Sequence, residues 1–72
     1  MIPFERELLR AYDACDMNRV EAAKQLGMRG DWNTLVTLYF NRIYKETGLS
    51  PRNRDDLTKL LSLIDKEESD ES

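Results

Sequence analysis

Apolar residues recur at helical spacing in four stretches, separated by segments that hold Asp, Asn, Gly, Ser or Pro. Phe4, Leu8, Tyr12 and Cys15, with Leu9 and Ala11 beside them, fall on one face of a helix over residues 3–15. Pro3 suits a first helical turn, and Glu5 and Glu7 suit its positive end. A second helix is expected after Asn18, an N-cap with Glu21 three residues on as in a capping box. Val20, Ala23 and Leu26 form its inner stripe, and Gly27 is placed to stop it. Met28-Arg29-Gly30-Asp31 reads as a turn, after which Asp31 or Asn33 caps a third helix that runs to Thr47 and ends at Gly48. Trp32, Leu35, Val36, Tyr39, Phe40 and Ile43 share its broad apolar face, with Leu38 and Tyr44 outside it. The fourth helix is capped either by Ser50 with Pro51 in the first turn, or by Asn53 with Asp55 and Asp56 behind. Its stripe is Leu57, Leu60, Leu61 and Ile64, with Leu63 off it. Nowhere does a β-branched or aromatic run alternate with period two. The expected fold is all-α: a small four- to five-helix domain over residues 1–64 containing a helix-turn-helix unit.

Charge changes the picture at one end. The 72 residues carry a formal charge of -3, but residues 65–72 alone hold five acids and one base. Residues 1–64 are close to neutral, with ten bases and nine acids. Residues 65–72 are therefore expected to form an acidic, disordered tail. A near-neutral body does not favour tight non-specific DNA binding by a monomer, because that binding comes from neutralised phosphates. Below about 80 residues a single core stabilises weakly, so a homodimer is expected, with Leu9 and Leu63 as surplus apolar residues to bury.

Candidate chemistry narrows further. There is no histidine and one cysteine, so neither a disulfide framework nor a His/Cys metal site is available, and no cofactor is expected. Cys15 is expected as a small apolar side chain in a reducing compartment. No Gly-rich phosphate loop or nucleophile–base arrangement occurs, so the chain is not expected to be an enzyme. The charged start is unlike a signal peptide and no run of about 18 apolar residues exists, which points to a cytoplasmic protein with no membrane partner.

Residues 18–28, Asn-Arg-Val-Glu-Ala-Ala-Lys-Gln-Leu-Gly-Met, resemble the first half of a Fis-like helix-turn-helix. With Asn33-Thr34-Leu35, Asn41-Arg42-Ile43, Thr47-Gly48-Leu49 and Arg54-Asp55-Asp56-Leu57, the order is similar to the C-terminal DNA-binding domain of the PucR and CdaR regulators. The resemblance covers roughly residues 5–64, and its most distinctive piece is the Thr-Gly-Leu followed by Arg-Asp-Asp-Leu. It implies that the third helix enters the major groove, with Arg29, Asn33, Thr34 and residues one or two turns on at the DNA. The chain departs from the family's pattern there. The turn through Arg29 to Trp32 is longer, a residue is inserted between Asn33 and Ile43, and the family's arginines give way to Leu35-Val36-Thr37-Leu38-Tyr39-Phe40.

Two functional classes follow. The first is a DNA-binding transcriptional regulator, acting as a dimer on double-stranded DNA. Arg19, Lys24, Arg29 and Lys45 would meet phosphates, and Asn33, Thr34, Thr37 and Asn41 would face the bases. The bland alternative is a solvated helix face. The second class is a protein-binding adaptor or anti-regulator on the same fold, with Trp32, Leu38, Tyr44 and Leu63 as partner contacts. Trp32 has the simpler alternative of closing the core over the turn.

Overall fold

The computed structural model describes residues 1–70, which hold four helices and no strand. These are α1 (Pro3–Ala14), α2 (Arg19–Gln25), α3 (Trp32–Thr47) and α4 (Arg54–Asp70). Among the described residues no helix is long and apolar enough to cross a membrane.

The boundaries follow from local chemistry. In α1, Pro3 occupies the first turn, and the Glu5 carboxylate accepts the Ile2 N–H at 3.2 Å. The helix closes when the Cys15 N–H donates to the Ala11 carbonyl and the chain reverses through Asp16 (φ 57°) and Met17 (φ 63°). Asn18 caps α2 by accepting the Glu21 N–H at 3.2 Å. The reciprocal half of the expected capping box is absent, because the Asn18 N–H donates to Cys15 and the Glu21 carboxylate lies 3.7 Å from Lys24. Gly27, at φ 66°, lets the Met28 N–H reach back to the Ala23 carbonyl at 3.0 Å and ends α2. Asp31, rather than Asn33, caps α3: its carboxylate accepts the Thr34 N–H at 3.4 Å and the Thr34 hydroxyl at 2.7 Å. Gly48 closes that helix in the left-handed region. At α4 it is Asn53 that caps, accepting the N–H groups of Asp55 and Asp56, while Ser50 orders the preceding loop.

α1 packs against both α2 and α4, and α2 against α3. Leu8, Leu9, Tyr12, Val36, Phe40, Ile43, Leu57, Leu60 and Ile64 form the core. Tyr12 meets Phe40 edge-on with ring centroids 5.1 Å apart, and Phe4 meets Tyr39 at the same separation. Three expectations are corrected here. Leu35 is 42% exposed and Val20 is 46% exposed, so neither is core. On α3 the buried row is Val36–Phe40–Ile43, and Leu35 sits a ~100° step to its side. On α2 the two alanines take the contact, and Val20 is two residues from Ala22, across the helix from it. Leu9 is completely buried within the single chain, so it is not available to a second copy.

The fourth correction concerns the acidic end. Residues 65–70 are not a disordered tail; they continue α4. Arg10 holds Asp65 at 3.4 Å and Glu68 at 2.7 Å, and Arg6 holds Glu67 at 3.3 Å. These arginines stand a turn apart on α1, so the acidic segment docks as a helix along a basic edge. Residues 71–72 lie outside the described residues.

Candidate nucleic-acid interface

α2, the turn and α3 form the helix-turn-helix unit. Val36, Phe40 and Ile43 hold α3 to the body, which fixes what points away. Thr34, Leu38, Asn41 and Lys45 follow i, i+4, i+7, i+11 down the opposite side, and all four are exposed. Asn33, Thr37 and Tyr44 line the adjacent row; Thr37 is half-buried and the other two are exposed. Arg19, Lys24 and Arg29 are exposed on α2 and the turn.

The polar groups on this face differ in what they have left to offer. The Thr34 hydroxyl donates to Asp31 at 2.7 Å, and the Thr37 hydroxyl donates to the Asn33 carbonyl at 2.9 Å. Their protons are committed, so a ligand would meet their methyl groups and remaining lone pairs. The Asn33 and Asn41 side-chain amides make no hydrogen bond among the described residues, and each presents a donor and an acceptor.

Residues 18–47 hold five bases and three acids. The acids are largely occupied: Glu21 by Lys24, Asp31 by the α3 cap, and Glu46 by the Met1 α-amino group at 2.8 Å. That ammonium, hydrogen-bonded to Glu46, holds the Glu46 carboxyl below its ordinary value. Among the described residues Arg19, Arg29 and Lys45 enter no ion pair.

Arg42 is a residue that the sequence pattern did not single out. It lies beside Leu38 and Asn41, with its Nε 3.8 Å from a Glu5 carboxylate that is fully buried. Its signal is legible only in three dimensions, because Glu5 comes from α1. Leu38, Asn41, Arg42, Tyr44 and Lys45 together line a shallow depression on the outer side of α3.

The four partner candidates separate. Trp32 is partly buried and packs against the core, so it closes the fold over the turn. Leu38 and Tyr44 are 54% and 56% exposed, and they share the α3 face with the DNA candidates. Leu63 is exposed on α4, outside the helix-turn-helix unit. Cys15 is a free, half-buried thiol. Among the described residues no group of three or more His, Cys, Asp or Glu side chains comes together as a metal site. Comparison of the chain with protein-family models, with curated proteins and with solved structures returned no match.

Proposed function

We propose that this chain is a DNA-binding transcriptional regulator of helix-turn-helix type, acting in the cytoplasm by binding and not by catalysis. The observation that carries the proposal is the outer face of α3. Two uncommitted amides lie there, Asn41 on the outer row beside Lys45 and Asn33 on the adjacent row, and Arg19 and Arg29, which enter no ion pair among the described residues, flank the unit. The resemblance of residues 5–64 to the PucR and CdaR DNA-binding unit supports the same proposal. Two copies on one duplex would double the phosphate contacts that a near-neutral body supplies. Among the described residues, Leu63 and Ile2 are large exposed apolar side chains outside the helix-turn-helix unit, and they remain for such pairing.

The test is a titration of labelled duplex DNA at low and at physiological salt. Binding is expected to weaken with a log–log slope of about -0.9 per phosphate contact. Arg29→Ala is expected to weaken all sequences alike and to flatten that slope by about one unit. Absence of binding at low salt would reject the proposal.

One observation favours a second function, a protein adaptor on the same fold: Leu38 and Tyr44 are each more than half exposed on one helix. Under that function Leu38→Ala and Tyr44→Ala abolish capture of a protein partner, and removing Arg29 has little effect.

A further inference from the structure

We propose that the α3 face selects A·T base pairs in the major groove, with Leu38 contacting the methyl group of thymine. This rests on the DNA-binding function above and names the sequence class that the face would prefer.

The argument starts from what each base pair presents. Guanine offers two acceptors and is usually read by a bidentate arginine. Adenine offers an acceptor beside a donor, which matches one side-chain amide, and thymine offers a methyl group that takes an apolar contact. From Asn33 to Asn41 the outer side of α3 carries two amides, two threonines and Leu38, with no arginine or lysine. Asn33 and Asn41 have their amides uncommitted. Thr34 and Thr37 have already donated their hydroxyl protons, which turns them toward apolar contact. Leu38 lies one turn after Thr34 and next to Thr37, and it keeps 54% of its surface exposed.

The cations are positioned for backbone contacts. Arg29 precedes α3, Lys45 lies near its end, and Arg42 is drawn toward the buried Glu5 carboxylate. Asn33 to Asn41 spans about 12 Å at ~1.5 Å per residue. That is the length of three to four base pairs at ~3.4 Å each. The bases at either end complement the phosphates on both sides of such a stretch. This charge complementarity is the reason to seat a duplex, and not an apolar protein helix, on Leu38.

The experiment compares three duplexes two helical turns long, titrated at low salt with the full chain. One holds only A·T pairs in a non-repetitive order, the second replaces every thymine by uracil, and the third holds only G·C pairs. Uracil removes the methyl and keeps the hydrogen-bonding edge. The A·T duplex is expected to bind best, and loss of the methyls to weaken binding about fourfold for each one buried. Leu38→Ala, at an exposed position that does not disturb folding, is expected to erase the thymine–uracil difference by weakening binding to the thymine duplex more than to the uracil one. Asn41→Ala is expected to reduce the preference for A·T over G·C. Equal affinity for the thymine and uracil duplexes, or an equal loss on both in Leu38→Ala, overturns the inference while leaving DNA binding intact. Binding to none of the three overturns both.

Discussion

Ile43 and Leu57 are wholly removed from water, whereas Leu35 and Leu38 keep about half of their surface. The two pairs should therefore respond differently to truncation. Ile43→Ala and Leu57→Ala are expected to cost about 2–5 kcal/mol, from lost burial and the cavity left behind. Leu35→Ala and Leu38→Ala are expected to stay within about 0.5 kcal/mol of the parent. Urea unfolding of the four variants measures this, and a large loss in Leu35→Ala would place that side chain in the core after all. Gly48 makes a second residue-scale case. A Cβ added there meets nothing within 4 Å, but φ is +77°. Gly48→Ala is thus expected to cost ~1–2 kcal/mol through the backbone alone, and Gly48→Asn less. At this scale the sequence marks Ile43 and Leu57 correctly by period, yet misplaces Leu35 and Val20. Periodicity finds a broad apolar arc but not its centre, which is set by whichever neighbour arrives; here the alanines of α2 and the Val36–Phe40–Ile43 row take the contacts.

The helices illustrate how far local signals reach. Asn18, Gly27 and Gly48 were legible because a cap or a left-handed stop depends on a few adjacent residues. The choices between Asp31 and Asn33, and between Ser50 and Asn53, needed the actual hydrogen bonds. The end of α4 was illegible for a different reason. Its stabilising partner Arg10 lies 55 and 58 residues away from Asp65 and Glu68. The Arg10 guanidinium, hydrogen-bonded to Glu68, holds the Glu68 carboxyl below its ordinary value. A carboxylate lowered in this way stabilises the folded form above its unfolded value, and the contribution is lost as pH falls through the lowered one. Residues 65–70 are therefore expected to lose helicity as pH drops below the usual glutamate range, and α-carbon chemical shifts against pH report it. Arg10→Ala is expected to release the same segment already at neutral pH. Shifts that stay helical in Arg10→Ala would mean that the ion pairs do not hold the segment.

Taken as one body of 34 × 24 × 20 Å, the molecule keeps its acidic end along α1 and presents the helix-turn-helix unit separately. With Asp65, Glu67 and Glu68 engaged by Arg6 and Arg10, they do not need the bases of α2 and α3. The fold class was legible from four amphipathic stretches. Most of the candidate residues were legible as surface positions, whereas Thr37 and Trp32 are partly buried; the bond of the Thr34 hydroxyl to the Asp31 cap, that of Thr37 to the Asn33 carbonyl and the pairing of Arg42 with Glu5 exist only in the folded chain. The proposed DNA-binding surface is the outer side of α3, with Arg19, Lys24 and Arg29 around it. Backbone amide chemical shifts, followed by NMR during addition of an A·T-rich duplex at low salt, test it directly. Shifts are expected to concentrate in residues 18–45, with the side-chain amides of Asn33 and Asn41 among the largest, and to stay small on α1 and α4. Shifts confined to α1 and α4, or none at any duplex concentration, would contradict this proposal.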